Sequence, residues 1–434
     1  MTPTERLLAL WDHLGVGAAH VATQMPGDIA GLAAGFGARL GGVVLCVPTR
    51  LDPVSFGAMP DRLLMISGDG GLTADVTARA EARLPGSQRI VLAGYDAPGW
   101  ADVVADRTDE IVQAMSGFLG RLEAGVPTGV PREGSHAGIS YRIEGTGPAL
   151  MLLPFFLAPS QWAPAVERLA QQFTVITLGG AHLGGVATLE DRARAPTYRA
   201  MFRTLIDLLA PRPGETILDV GCGAGSLDRL LASWLGKANP ITAIDTNGFL
   251  LREAEALAKA DGLDGLIRFA PGNAEALPFA DASFDCIFSV TVLEECDADR
   301  ALAEMMRVVR PGGRIGVIVR SIDLPQWWSA DVPEALRQRA LTPPQSVAAK
   351  GVADASLYRR ARQAGLSDLT CFPALVTLDR PEGPIWRYRE DHLLAQLSPS
   401  EMAAWQVARD VAARQGLLFM AHPMHCVVGH KPAS

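Results

Sequence analysis

The stretch ILDVGCGAGSL at residues 217–227 constrains the fold of this 434-residue chain more than any other segment. A short apolar run leads into closely spaced glycines and then into a helix-forming stretch, which predicts a strand, a tight turn and a helix. Gly221, Gly223 and Gly225 let the backbone pass close to a ligand, and the first N–H groups of the helix are free to bind it. The segment therefore predicts a nucleotide-like cofactor at one edge of an α/β sheet.

The rest of the chain extends this pattern into two α/β domains. From about residue 212 onward, short apolar runs alternate with helical stretches, as in a parallel sheet with helices on both faces. The first half is also α/β, and a Pro/Gly-rich stretch at 123–138, predicted to be flexible, divides it in two. A second boundary is expected before the helix PTYRAMFRTLIDLL. We therefore predict one domain at 1–190 and another at 195–434.

Composition excludes several classes of protein. The net charge of −8 and the absence of a long basic run argue against a nucleic-acid or anionic-membrane surface. The most apolar run, 149–158, covers about half a membrane span and contains Pro154. The start of the chain has no secretory pattern, and the scattered cysteines fit reduced thiols, so a cytoplasmic protein is expected. In HPMHCVVGH, His422 and His425 would point to opposite faces of a strand, so no metal site is predicted.

The acidic residues around the glycine turn help to distinguish between cofactors. The turn reads GxGxG, whereas the dinucleotide fingerprint has its third glycine one position later, where this chain has Ser226. Asp219 precedes the first glycine by two positions, where a carboxylate can orient the loop and accept hydrogen bonds from an ammonium group. Asp245 ends the next strand, where an acid can bind two ribose hydroxyls.

A third segment completes a recognisable series. In GNAEALPF, at 272–279, Asn273 is placed to contact an adenine amino group and the backbone of Ala274 to pair with a ring nitrogen. Together, LDVGCGAG, AIDTN, GNAEALPFADASFDCIFSVTVLEE and VVRPGGRIGVI resemble the successive motifs of class I S-adenosylmethionine-dependent methyltransferases. The branch that includes ubiquinone/menaquinone C-methyltransferases is the most similar, and the likeness covers about 200–320.

The resemblance implies a Rossmann-like, seven-stranded α/β domain with a reversed last strand, for which LLFMAHPMHCVVGHKP is the candidate. By position, the glycine loop holds the methionine part of S-adenosylmethionine, and the end of the second strand holds the ribose. The segment after the third strand meets the adenine, and the end of the fourth strand lies beneath the sulfonium. The cofactor-binding residues implied in this way are Asp219, Gly221, Gly223, Gly225, Asp245, Thr246, Asn273, Ala274, Ser289 and Thr291.

The acceptor side of such a site needs little chemistry, because S-adenosylmethionine carries its own leaving group. The protein must align an acceptor with the methyl carbon and, for an O–H or activated C–H group, remove a proton. Glu294, Glu295 and His422 are the candidate catalytic residues, although the family often has histidine where Glu295 stands. In an alternative interpretation, Glu294 and Glu295 are a solvated pair ahead of the next helix. Trp327 and Trp328 are candidates either for an acceptor wall or for the core.

The predicted function is methyl transfer to a small-molecule acceptor, on oxygen or carbon, with no nucleic-acid or membrane partner. Two alternatives stay open: an NAD(P)-dependent oxidoreductase and a non-catalytic S-adenosylmethionine-binding regulator. Tyr358 is followed four residues later by Arg362 rather than lysine, so a Tyr-Lys hydride relay has no obvious members.

An additional helix is signalled at 398–416, between the last two strands. Ser398 and Glu401 form a capping box, Pro399 takes the first helical position, and Gly416 ends the helix. Its place suits a lid or a contact within a homodimer.

Residues 1–185 resemble an α/β-hydrolase in permuted order, since 138–180 is similar to the first strands of that fold. The hydrolase chemistry is absent: in ATQMP, Gln24 stands at the nucleophilic serine, with Ala22 and Pro26 at the two glycines of the elbow. The other expected positions of the acid, the histidine and the oxyanion loop fall at Gly71, at Asp96 or Ala97, and at Pro154-Phe155. We therefore predict a non-catalytic domain that serves as a scaffold, a dimer contact or a substrate gate.

Overall fold

The computed structural model describes residues 1–96, 103–155, 159–345, 347–379, 381, 383–394 and 396–433. Two compact units are present, Met1–Ala187 and Thr188–Ser434. The division between them falls within helix α7, Gly184–Arg194.

The first unit is an eight-stranded sheet with helices, counted over the described residues. Its strands β1 to β8 are Ala19–Thr23, Leu40–Cys46, Leu63–Gly68, Gln88–Leu92, Glu133–His136, Ile139–Gly145, Ala149–Leu152 and Thr174–Gly179. Its helices α1 to α6 are Pro3–His13, Ala30–Gly35, Gly71–Glu81, Val103–Asp106, Thr108–Leu119 and Ala163–Leu169. The strand order is β4-β3-β2-β1-β7-β8-β6-β5, and only the pairings of β6 are antiparallel.

The central strands β1, β2 and β7 of this unit are buried along their whole length because the middle of the sheet is covered on both faces. Successive residues of β2 point to opposite sides, so Val43 and Leu45 enter one hydrophobic core whereas Val44 and Cys46 enter the other. The sheet is thus the central layer between two cores. This agrees with the predicted α/β class.

The stretch predicted to be flexible, 123–138, contains a strand. Strand β5 occupies its end and pairs with β6. Upstream, the N–H of Gly125 donates to the carbonyl oxygen of Ala18 at 2.7 Å, and the carbonyl oxygen of Gly125 accepts from the N–H of Ala149 at 2.7 Å. Much of this Pro/Gly-rich stretch is therefore held by backbone pairing, which composition alone does not indicate.

The second unit contains a nine-stranded sheet within the described residues. Its strands β9 to β17 are Ile217–Val220, Ile241–Asp245, Ile267–Pro271, Phe284–Val290, Val309–Arg320, Trp327–Trp328, Ser367–Cys371, Ala374–Leu378 and Met420–His430. Its helices α8 to α15 are Pro196–Leu209, Ser226–Trp234, Gly248–Ala260, Ala298–Val308, Glu334–Ala340, Ser356–Gln363, Pro384–Leu394 and Pro399–Arg414. The order is β11-β10-β9-β12-β13-β17-β14, and β15 and β16 also pair with β17.

Strands β9 to β13 are parallel, and β17 is antiparallel to β13. The predicted Rossmann-like sheet with a reversed last strand is therefore confirmed. The predicted number of seven strands is exceeded by two among the described residues, because β15 and β16 pair with the long strand β17 beside the main path of seven. The apolar pattern of TCFPALVTL, at 370–378, predicts one strand, but the structure divides it into β15 and β16 around Phe372 and Pro373, because proline has no N–H to donate to a ladder.

Strand β17 contains a proline that marks where one pairing ends. Arg320, the last residue of β13, lies opposite Met424, and beyond it the carbonyl oxygen of Pro423 accepts from the N–H of Ser321 at 3.1 Å. From there back to Met420 the strand pairs with β16 and β14. His422 lies on this extension, past the carboxyl end of β13.

Three tryptophans form a buried cluster in the second unit. The ring of Trp328 makes edge contacts with Trp386 and Trp405, each with centroids 5.2 Å apart. The indole N–H groups of Trp386 and Trp405 both donate to the carboxylate of Glu390, at 2.8 and 2.9 Å. Trp328 is thus a core residue, whereas Trp327 is 47% exposed, so the two do not form one wall.

None of the helices in the described part of the chain has the length and apolar character needed to cross a membrane.

Candidate active site

The glycine turn after β9 folds back toward the end of β10. The N–H groups of Gly221 and Cys222 both donate to the carbonyl oxygen of Ile244, at 2.8 and 2.9 Å. Gly221 has a φ of +86°, and a Cβ atom there would lie 2.2 Å from a methyl group of Val292. A side chain at this position would therefore be excluded by backbone strain and by steric overlap.

Asp245 joins the ends of β9 and β10. Its carboxylate accepts from the N–H of Gly223 at 2.9 Å and from the N–H of Asn247 at 2.8 Å. Burial raises the pKa of Asp245. Thr246, the next residue, is exposed. The predicted ribose-binding carboxylate thus lies against the glycine turn and is held by two backbone donors.

Asp219 is a buried carboxyl group whose hydrogen bonding is incomplete. It is 3% exposed, and its Oδ1 has no hydrogen-bond partner among the described residues. Burial raises the pKa of Asp219 well above its usual value, and the nearby carboxyl groups of Asp228 and Asp245 raise it further. Burial also raises the pKa of Asp228, to about 7. A cationic ligand group would relieve this concentration of acidic side chains.

The segment after β11 is linked to Asp245 through its backbone. The N–H of Gly272 donates to the carbonyl oxygen of Asp245 at 3.1 Å. Asn273 is exposed, and its Oδ1 accepts from the N–H of Glu275 at 2.9 Å. Ala274 is buried. The amide oxygen of Asn273, expected to face an adenine, therefore also stabilises its own turn.

The end of β12 is held against β9 and carries an unusual backbone conformation. The buried hydroxyl of Ser289 donates to the carbonyl oxygen of Val220 at 2.8 Å. Thr291 has a φ of +59°, which a β-branched residue seldom adopts. Its hydroxyl accepts from the guanidinium of Arg192 at 2.9 Å and donates to the carbonyl oxygen of Val290 at 2.7 Å. Backbone outliers of this kind concentrate at functional sites.

Glu294 and Glu295 have different environments. Glu294 is fully buried; its Oε1 accepts from the N–H of Arg320 at 2.7 Å, and its Oε2 has no hydrogen-bond partner among the described residues. Burial raises the pKa of Glu294 to about 7. The side chain of Glu295 is 54% exposed and pairs with Arg320 at 3.4 Å. The interpretation as a solvated carboxylate is therefore wrong for Glu294, which is buried, and fits Glu295, which is exposed.

His422 is 4% exposed, and neither ring nitrogen has a hydrogen-bond partner among the described residues. Burial lowers its pKa well below the usual value, and the guanidinium groups of Arg389, Arg192 and Arg320 lower it further. A lowered pKa makes the imidazole a weaker base, so it is poorly suited to accept a proton from an acceptor.

Sequence reasoning did not identify two residues that lie at this site. The ring of Tyr198 lies 5.1 Å from the guanidinium of Arg192, and its buried hydroxyl has no hydrogen-bond partner among the described residues. Burial raises the pKa of Tyr198, and the charges of Glu294 and Asp219 contribute. The tyrosine begins an amphipathic helix in which an apolar ring is expected, so no local signal marks its hydroxyl.

His425 and Tyr358 belong to a separate network. Nδ1 of His425 is 2.8 Å from the hydroxyl of Tyr358, and Nε2 is 2.7 Å from a carboxylate oxygen of Asp323. His425 is an odd number of residues from His422 along β17, so the two side chains leave opposite faces of the sheet.

The glycine turn and the strands around it are similar in sequence to known proteins. Residues 218–317 match the family described as "Methyltransferase domain". A ubiquinone/menaquinone biosynthesis C-methyltransferase UbiE of Legionella pneumophila is 38% identical over 117 residues, which is 27% of this chain and 47% of that protein. The UbiE protein of Vibrio cholerae is 34% identical over 131 residues, or 30% and 50% of the two chains. The chain thus spans about half the length of these curated relatives.

Solved structures give weaker matches. The [4+2]-cyclase SpnF is 21% identical, with a TM-score of 0.35, over 55% of this chain and 82% of that one. The YcgJ protein from a Bacillus is 19% identical, with a TM-score of 0.38, over 54% and 100% of the two chains. The sequence matches show a methyltransferase domain over residues 218–317, and the strand order of the second unit fits the Rossmann-like sheet of class I S-adenosylmethionine-dependent methyltransferases.

Proposed function

We propose that this protein transfers the methyl group of S-adenosylmethionine to an oxygen or carbon atom of a small-molecule acceptor. The observation that carries the proposal is the arrangement of Asp219, the glycine turn and Asp245 at the carboxyl ends of β9 and β10, within a methyltransferase domain. When bound, the cofactor would supply an electrophilic methyl group on a sulfonium leaving group.

The residues present suit this cofactor. The Oδ1 of Asp219, without a partner among the described residues, suits an ammonium group, and three glycines at positive φ, Gly221, Gly223 and Gly225, allow the backbone to approach a ligand closely. Asp245 accepts two backbone hydrogen bonds and has lone pairs left for hydroxyl donors. Asn273 and Ala274 are assigned to the adenine by position.

We assign proton removal to Glu294. Its Oε2 is buried and unpartnered among the described residues, and a pKa of about 7 leaves a large fraction ionised at neutral pH. Arg320 holds Oε1 through its N–H, so the second oxygen remains for an acceptor. Glu295 is exposed and paired, and we assign it no part in proton transfer.

Calorimetry tests the cofactor assignment. S-adenosylmethionine and NAD are titrated separately into the full-length protein and into Asp245→Asn. Asp207→Asn is the matched control, because this carboxylate on α8 is exposed and pairs with Arg203 of the same helix. We expect S-adenosylmethionine to bind the wild type and the control, and Asp245→Asn to bind it at least tenfold more weakly. Binding of NAD alone would show an oxidoreductase and overturn the proposal.

An acceptor screen that detects S-adenosylhomocysteine separates an enzyme from a regulator. We expect turnover with a small phenolic or enolic acceptor. Cofactor binding without turnover across a broad panel would favour the non-catalytic regulator.

For the first unit we propose a hydrolase-like domain without hydrolase activity. Strands β5 to β8 form one half of its sheet and β1 to β4 the other, joined at β1 and β7, which supports a permuted order. The amide of Gln24 is buried and donates to the carbonyl oxygen of Val47 at 3.4 Å. The histidine position at Ala97 lies outside the described residues. Hydrolysis of p-nitrophenyl butyrate that a serine-directed phosphonate abolishes would contradict this proposal.

A further inference from the structure

The strongest unexplained feature of the second unit is the ring of His422. Buried polar atoms are nearly always hydrogen-bonded, yet both ring nitrogens lack a partner among the described residues. The side chain is 4% exposed, and the strand that carries it extends past the carboxyl end of β13. An unpartnered donor at this edge of the sheet points to a ligand group that accepts a hydrogen bond.

The guanidinium groups of Arg320 and Arg192 contribute positive charge near this ring. Arg320 interacts with the carboxylates of Glu294 and Glu295. Arg192 makes no ion pair within the part of the chain that the structure describes: its contacts are the hydroxyl of Thr291 and the face of Tyr198. A guanidinium that is only half-buried and bonded to neutral groups can still bind an anion.

Arg389 is a third guanidinium whose charge acts on this ring. It is 4% exposed, and its Nη1 donates to the amide oxygen of Gln326 at 3.0 Å. The charges of both Arg389 and Arg192 act on His422. Burial and this positive surrounding keep the imidazole neutral, so it can donate one N–H without adding a charge.

The position of His422 distinguishes this group from the methionine end of the cofactor. Strand β17 is three places from β9 in the sheet, and at about 4.8 Å between strands the separation is roughly 14 Å. The glycine turn and Asp219 belong to β9. Arg192 contacts Thr291 at the end of β12, which lies between β9 and β17 in the sheet.

We propose that Arg192 and His422 bind an acidic group of the acceptor, a carboxylate or a phosphate, and thereby select acidic acceptors. The inference rests on the proposed methyl transfer. Arg192 supplies two N–H donors, His422 supplies one, and the unpartnered hydroxyl of Tyr198 supplies another. Such a group would anchor the acceptor beside Glu294, with its reacting atom toward the cofactor.

The test uses full-length protein saturated with S-adenosylhomocysteine, so that the cofactor position is filled. Benzoate, phenyl phosphate and the neutral analogue benzamide are titrated by calorimetry. We expect at least one acid to bind tenfold or more tightly than benzamide, and the tighter acid to identify the group. Equal binding of acids and benzamide, or no binding of either acid, would overturn the inference.

Two variants locate the site. Arg192→Gln and His422→Phe are each expected to weaken the acid at least tenfold and to leave the affinity for S-adenosylhomocysteine unchanged. Arg199→Gln, an exposed arginine on α8, is the matched control. If His422→Phe does not fold, Arg192→Gln carries the test, because its side chain is not fully buried.

Two outcomes distinguish the failure modes. Loss of S-adenosylhomocysteine affinity in Arg192→Gln would show that this arginine binds the cofactor. That result would overturn the inference and leave the proposed methyl transfer standing. Failure of the wild type to bind S-adenosylhomocysteine in the first titration would refute the proposed function, and the inference with it.

Discussion

The two units of this chain are both built around largely parallel α/β sheets, and in each a central strand runs into a turn and a helical segment. After β1, the turn carries Gln24, whose buried amide bonds to the carbonyl oxygen of Val47. After β9, the turn consists of backbone, with Gly221, Gly223 and Gly225 all at positive φ. A shared architecture therefore leaves the chemistry of each unit to the residues at one turn.

The two units also differ in whether their buried polar groups are isolated or clustered. In the first unit, His20 lies in an apolar environment, edge-on to the ring of Phe173. In the second unit, Asp219, Tyr198 and Glu294 each have a buried polar atom with no partner among the described residues, and the charges of the two acidic side chains act on Tyr198. A cluster of such groups indicates a ligand site, whereas an isolated one is a liability for stability.

The largest expected effect tests the backbone turn. Gly221→Ala should lower the affinity for S-adenosylmethionine by about a hundredfold or more, because its Cβ would lie 2.2 Å from Val292 at a φ of +86°. Gly214→Ala is the control: its φ is also +86°, but no atom lies within 4 Å of the added Cβ. An equal loss of affinity in both variants would show that the effect arises from backbone strain at positive φ and not from the overlap with Val292.

The next effect tests the buried carboxylate. Glu294→Gln should lower kcat about a hundredfold, the loss typical of removing a general base, with cofactor affinity unchanged. The wild-type rate should rise with pH through the pKa of Glu294, about 7, and this rise should disappear in the variant. Glu295→Gln, an exposed neighbour, should keep both the rate and the pH profile; an equal loss there would contradict the assignment.

A third prediction concerns the isolated histidine of the first unit. Burial lowers the pKa of His20 to about 4, against an ordinary value of 6.5, so the folded state resists protonation. Its stability contribution is complete above pH 6.5 and falls between pH 6.5 and 4, by about 3 kcal/mol at most. His20→Phe should flatten the decline in unfolding midpoint between pH 7.5 and 5, and His430→Phe should not.

The smallest expected effect concerns the capping boxes at the starts of α1 and α15. Thr2 and Glu5 begin α1, and Ser398 and Glu401 begin α15. Arg339 also pairs with Glu401 and lowers its pKa to about 2. Ser398→Ala should therefore lower the free energy of unfolding by about 1 kcal/mol, and Thr2→Ala by less, because Arg339 holds Glu401 in the capping box of α15. Denaturant unfolding of both variants measures the difference, and a larger loss in Thr2→Ala would contradict it.

Much of the second unit could be predicted from sequence because its signals are local. The glycine turn, the acid that ends β10 and the capping box of α15 each depend on a few neighbouring residues. The division of one predicted strand at Pro373 could also be anticipated from the missing N–H, but the choice between one strand and two depends on the pairing with β17.

The candidate acceptor site could be predicted only in part. Glu294 and His422 were selected by position, but their burial and their unpartnered atoms depend on packing. Arg192 and Tyr198 had no local signal, since an arginine and an aromatic residue are ordinary on an amphipathic helix.

The sequence by itself determined the α/β class, the glycine turn and the candidate cofactor residues of this protein, because closely spaced residues set backbone conformation and donor positions. Tertiary structure alone decided that His422 lies near Arg192, about 230 residues earlier in the chain. Arg192 contacts Thr291 after β12, and the strand order β12-β13-β17 brings His422 to the same region of the sheet. Pairing between distant strands is set by the packing of the whole sheet.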